Sequence, residues 1–211
     1  MFIGHFGLGF GAKKAAPAVS LGTLFIACQF ADLLWPTLVL LGIERVEIQP
    51  GATAMTPLDF VSYPWSHSLE ALCLWGVVFG GAYVAVRRAR ISAAVTLALL
   101  VVSHWVLDFF THAPDMPLWP GPSPRFGLGL WNSIPGTLLV EGALWTAAIA
   151  IYLRASRPRP IAFWSLVIVS TVIWATGPWS PPPPNERALG WFALIGWIII
   201  PWAAFADGPM K

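Results

Sequence analysis

Val101-Val-Ser-His104-Trp-Val-Leu-Asp108-Phe-Phe-Thr-His112 closes a run, Ile91 to Phe110, that is apolar enough to cross a bilayer, yet it carries three ionisable side chains. Residues four apart on a helix share a face. His104 and Asp108 therefore sit one turn apart, about 40° from each other around the axis, and His112 drifts to about 80° from His104. An aspartate at the centre of a membrane helix costs about 2.5–3.5 kcal/mol on insertion scales. A helix that keeps such groups turns them toward protein partners and away from lipid.

The rest of the chain is built to supply that setting. Of its 211 residues 57% are hydrophobic and only 10% are charged, against about 25% charged in soluble domains. This is the composition of an integral membrane protein. The net charge of +2, spread in short clusters between apolar runs, gives no footing for nucleic acid. Cys28 and Cys73 both lie in apolar stretches, where free thiols behave as small hydrophobes. Met1 to Gly11 is apolar and precedes Lys13 and Lys14, the reverse of a signal peptide's order, so Ser20–Gly42 reads as a retained helix.

Six stretches reach spanning length, about 20 residues: roughly 20–42, 69–86, 91–110, 134–153, 161–177 and 188–205. This predicts an all-α, polytopic membrane helix bundle. Lys13, Lys14, Arg87, Arg88, Arg90, Arg154, Arg157, Arg159 and Lys211 fall on one side, and Arg45, Arg125 and Arg187 on the other. By the positive-inside rule both termini are cytoplasmic and the loops 43–66, 111–133 and 178–187 face outward. The first of these loops alternates apolar and acidic residues around Glu44 and Glu47, which predicts a short hairpin or an interfacial turn. Pro181 to Pro184 in the third predict a stiff polyproline II spacer.

The polar residues of the first four spans then fall at compatible depths. Asp32 lies midway along the first, before Pro36, whose missing donor and ring predict a kink that opens space around it. His67 and Ser68 open the second span, His104, Asp108 and His112 end the third, and Glu141 lies about two turns into the fourth. The fifth and sixth have no ionisable residue in their interiors. Residues 1–153 are therefore the expected functional domain and 154–211 a packing pair. From Lys14 a helix back to His5 rises about 13 Å, level with Asp32 and His104, so the amino terminus reads either as a short re-entrant helix or as a surface-lying amphipathic end. Neutral imidazoles with carboxylates suit a divalent ion, zinc above all. Ser68 reads as a helix cap.

His5 before a Gly-rich turn, Asp32, Trp65-Ser-His67-Ser68 and Ser103-His104-x-x-x-Asp108 together resemble the YdjM-like family of inner-membrane proteins, which are assigned as metal-dependent hydrolases. The resemblance covers roughly residues 1–153. The family's His-Arg-Gly-x-Thr-His-Ser run reads Ser62-Tyr63-Pro64-Trp65-Ser66-His67-Ser68 here, and Leu33-Leu34 stand where a paired acid is usual. Asp59 or Glu70 are the nearest substitutes.

The resulting expectation is an inner-membrane, metal-dependent hydrolase of a lipid or lipid-linked substrate. His67, His104 and Asp108 are the preferred ligands, with His5, His112 and Asp32 as additions. Glu141 is the general base, with Asp32 as a second catalytic carboxylate, and Arg125 and Ser68 contact substrate. Two rivals predict different behaviour: a proton-coupled carrier, and a non-catalytic subunit of a larger membrane complex.

Overall fold

The computed structural model describes residues 1–209. Lys211, counted above among the basic residues, lies outside them. The elements in order are α1 (Ile3–Ala12), α2 (Leu21–Cys28), α3 (Phe30–Leu40), β1 (Arg45–Ile48), β2 (Leu58–Ser62), α4 (Pro64–His67), α5 (Leu69–Arg87), α6 (Ile91–Thr111), β3 (Met116–Pro117), β4 (Arg125–Phe126), α7 (Ile134–Ala155), α8 (Pro160–Thr176), α9 (Glu186–Leu194) and α10 (Ile199–Ala206). Among the described residues five helical runs are long and apolar enough to cross a membrane: α5, α6, α7, Pro160–Trp179 and Glu186–Ala206. The bent α2–α3 pair passes the same test when taken as one broken span. The expected polytopic bundle is present, with two short hairpins at one end.

Local chemistry sets the ends. Ser20, Ser68, Ser133 and Asn185 each cap a helix by accepting from the backbone amide three residues on, which satisfies a donor that has no partner within the helix. Pro160 starts α8, where its missing N–H is not needed. Gly76 and Gly80, one turn apart, let α5 lie flat on α6. A Cβ on either would come within 2.9 Å of a carbonyl oxygen, Ala98 for the first and Ala94 for the second. Small residues at this spacing are the usual way membrane helices gain close contact where lipid removes the hydrophobic drive.

The first span bends by 58° between α2 and α3. The expected kink at Pro36 is not where the break falls. Pro36 lies inside α3, and the helix is interrupted at Gln29, which has left helical dihedrals (φ −105°, ψ 12°). The tertiary partner decides this, because the carbonyl of Cys28 at the break receives a bond from His104 across the bundle (2.9 Å).

The amino terminus is a buried half-span helix, not a surface-lying end. α1 packs on α7, α2 and α6, and at ten residues it is about 15 Å long, half the hydrocarbon core. Phe10 anchors it among Phe25, Trp145, Tyr152 and Phe163, with ring centroids 5.0–5.6 Å away. Its carboxyl end reaches the basic end of the bundle, where Lys13 meets Asp207 (2.6 Å). Its amino end opens beside Asp108. At the opposite end from the basic loops, the loop 43–66 forms the expected hairpin, β1 pairing antiparallel with β2, and β3 pairs with β4. The connection holding Pro181–Pro184 has neither helix nor strand.

Candidate metal centre

Four elements converge on one buried point: α1 brings His5, α3 Asp32, α4 His67, and α6 His104 and Asp108. His5, His104 and Asp108 present ligand atoms within 4.8 Å of one another, and so do Asp32, His67 and His104. All but Asp32 are buried. The one-turn spacing of His104 and Asp108 survives as an Nε2–Oδ2 distance of 3.1 Å. His5 stacks flat on His104, centroids 3.7 Å apart, with its Nε2 3.0 Å from Asp108 Oδ1. The Met1 amine also contacts Asp108, and it donates to Thr111 Oγ1 (3.0 Å).

Hydrogen bonds define the tautomers. His104 Nδ1 faces the Cys28 carbonyl at 2.9 Å. A carbonyl only accepts, so Nδ1 carries the proton and the neutral ring's Nε2 is bare. That Nε2 makes no hydrogen bond although Asp108 Oδ2 is 3.1 Å away and Asp32 Oδ1 3.7 Å. His67 repeats the pattern. Its Nδ1 is 2.7 Å from Ser66 Oγ, which itself donates to Glu44 Oε2 (2.6 Å). Its Nε2 looks toward Asp32 Oδ1 (3.5 Å) and Asp108 Oδ2 (3.9 Å). In the neutral rings these two Nε2 lone pairs face Asp32 Oδ1 and Asp108 Oδ2, a repulsion that a cation between them would relieve, while Asp108 Oδ1 on its other side meets the Met1 amine. Imidazoles whose far nitrogen is held by a carbonyl or carboxylate chain are the usual metal ligands. The residues present therefore fit a divalent ion.

His112 ends α6 at the rim. Its Nε2 is 3.9 Å from Asp108 Oδ2 and its Nδ1 3.1 Å from Asp115. Tyr63 also donates to Asp115 (2.6 Å). Burial, and then the charge of Asp115, push the Tyr63 phenol well above its usual range, so it stays a donor.

A cavity of about 480 Å³ opens onto this cluster. Its floor is Asp32, His67, Asp108 and His112, and its walls are apolar side chains such as Phe6, Leu33, Ile173 and Trp202, from α1, α3, α8 and α10. The last two spans thus wall the site. Asp32 is the one accessible ligand candidate, with about 40% of its side chain open.

The remaining expected site residues are not brought to this floor. Glu141 is buried on α7, where Oε2 accepts from the amides of Phe2 (2.9 Å) and Gly4 (3.3 Å). It holds the amino end of α1 and lines a separate cavity of about 230 Å³. Ser68 caps α5 through Ala71 (3.2 Å). Arg125 is exposed and donates to the Val61 carbonyl (3.0 Å). Asp59 pairs opposite Glu47 in the hairpin, and Glu70 is exposed at the start of α5. Sequence reasoning missed Glu44 and Ser66. Glu44 looks like its loop neighbour Glu47 in sequence, and no periodicity marks one as buried and the other as open.

The sequence model of the YdjM inner membrane protein family matches residues 57–180, more than half of the chain. The chain belongs to that family. As a YdjM family member with these spans it is an integral inner-membrane protein. The match begins beyond His5 and Asp32, later than the resemblance drawn above, and extends through α8. It contains His67, His104, Asp108, His112, Arg125 and Glu141. No curated protein and no solved structure matches the chain.

Proposed function

We propose that this YdjM family protein is a membrane-embedded, metal-dependent hydrolase of a lipid or lipid-linked ester. The observation that carries the reading is the pair of Nε2 atoms, His67 and His104, facing Asp32 and Asp108, where Asp32, His67 and Asp108 also line a largely apolar cavity.

His67, His104, Asp108 and Asp32 would hold the ion, with His5 against Asp108 Oδ1 and His112 at the rim. Zinc suits this set of imidazoles and carboxylates best. Such an ion, when bound, lowers the pKa of a coordinated water and polarises a carbonyl or phosphoryl oxygen.

The chain's own groups supply the rest. Of the two Asp32 oxygens it is Oδ1 that comes within 4 Å of both imidazoles (3.5 and 3.7 Å), which leaves Oδ2 to accept a proton. Asp32 is thus the general base. Glu141, bound to two α1 amides, positions the amino end of that helix and with it His5. The apolar walls take the hydrocarbon part of the substrate and keep bulk water away from the reacting bond. In this reading residues 1–153 carry the polar chemistry, and α8, α9 and α10 complete the walls.

Elemental analysis of purified protein tests the ion directly. The wild type should carry near-stoichiometric divalent metal, and His104→Ala and Asp108→Ala should carry little. Equal absence of metal from all three removes the site.

A further inference from the structure

Glu44 leaves the first span just ahead of β1 and returns to a helix more than twenty residues away. Its side chain is 2% exposed. Oε1 accepts from the amides of Trp65 (2.8 Å) and Ser66 (2.9 Å), and Oε2 accepts from the Ser66 hydroxyl (2.6 Å). Ser66 Oγ, fully buried, then lies 2.7 Å from His67 Nδ1. A hydroxyl has one proton. Since a carboxylate can only accept, that proton goes to Glu44, and Ser66 must accept from His67. The polarity of the chain is set at its far end.

We infer that Glu44, acting through Ser66, is a positioning residue that locks His67 as its Nδ1–H tautomer and aims the bare Nε2 at Asp32 and Asp108. The inference rests on the metal-site reading for its purpose but not for its geometry. Glu44 touches neither the cavity nor the cluster. Pro64, at the start of α4, has no amide to offer, so the carboxylate takes the next two donors of that turn. One group thereby fixes both the position of α4 and the proton on its histidine. A carboxylate is required for the second task. In Glu44→Gln the amide oxygen can still accept from Trp65 and Ser66, but the NH2 group donates to Ser66 Oγ. The hydroxyl must then turn its proton toward His67 Nδ1, which moves the ring proton to Nε2.

The test uses the full-length protein in detergent, labelled with ¹⁵N-histidine and stripped of metal by chelation. The wild-type His67 resonances should report the Nδ1–H tautomer and those of Glu44→Gln the Nε2–H tautomer. Ser66→Thr, which keeps the hydroxyl, should match the wild type. Zinc competition with a chromophoric chelator is the second readout. Affinity should fall about 10–100-fold in Glu44→Gln and Ser66→Ala, the usual effect of losing such a support, and stay within about threefold in Ser66→Thr. An unchanged His67 tautomer in Glu44→Gln overturns the inference, even if melting temperature drops, since a purely structural Glu44 would produce that drop. A tautomer switch in a protein that binds no zinc upholds the positioning and overturns the metal-site reading instead.

Discussion

The two ends of α1 each bury a polar network, and the two differ in one respect. At the carboxyl end Lys13 donates to Asp207 (2.6 Å) and to the Val19 carbonyl (2.9 Å). Asp207 also accepts from Tyr152 (2.8 Å), from the Leu21 amide (3.0 Å) and from the Gly208 amide (3.1 Å). Opposite charges match and both carboxylate oxygens are filled. At the amino end Asp108 Oδ1 meets the Met1 amine and His5 Nε2, but Asp108 Oδ2 and Asp32 Oδ1 face the imidazoles of His104 and His67. Among the described residues His5 Nδ1 and His104 Nε2 make no hydrogen bond. A network that closes on itself is a clasp. One that stays open, in a bundle able to satisfy its other end, is built for something that arrives from outside.

The largest effect should come from opening the clasp. Lys13→Met leaves the half-buried Asp207 without its cation; removing one partner of a fully buried pair costs about 3–5 kcal/mol, and this pair, with Asp207 about 11% exposed, should lose somewhat less. Unfolding in detergent should show that loss while the metal content of the surviving folded protein is unchanged. Loss of metal along with stability would mean that the two ends are one coupled unit.

The open network should respond with the opposite sign. Asp32→Asn removes one of the two charges facing the bare nitrogens. Metal-free protein should then gain about 0.5–2 kcal/mol, as expected where a site is held at a cost to stability, and zinc should no longer raise its melting temperature. Destabilisation of the metal-free variant would show that Asp32 already has a satisfied partner.

The smallest effect is expected at Arg125, which lies outside both networks and meets only the Val61 carbonyl. Arg125→Ala should change stability by less than about 0.5 kcal/mol and leave metal content alone. Any loss of metal would return this residue to the site.

Much of this comparison was legible in the chain. The spans stand close to where hydropathy put them because each needs about 20 apolar residues to cross the bilayer. Ionisable residues inside such runs are conspicuous, which marks His104, Asp108 and Asp32 in the sequence, and His67 just ahead of the second run. The first-span bend was misplaced because Pro36 is a local signal, whereas the break at Gln29 serves a carbonyl that His104 uses from another helix. A carboxylate two turns into a span reads as a general base beside a metal-bound water, but sequence does not say which neighbour it faces, and Glu141 faces the amides of Phe2 and Gly4.

By itself the sequence determined a membrane bundle and the identities of the polar residues forced to find partners. These follow from composition and period, which local chain geometry turns directly into helices. Only the tertiary structure decided that α1 re-enters to deliver His5, that Glu44 reaches Ser66 across a hairpin, and that α8 and α10 wall the cavity. It also decided which nitrogen of His67 and His104 carries the proton. Those facts depend on which atoms meet across long separations in the chain, and hydropathy carries no record of such meetings.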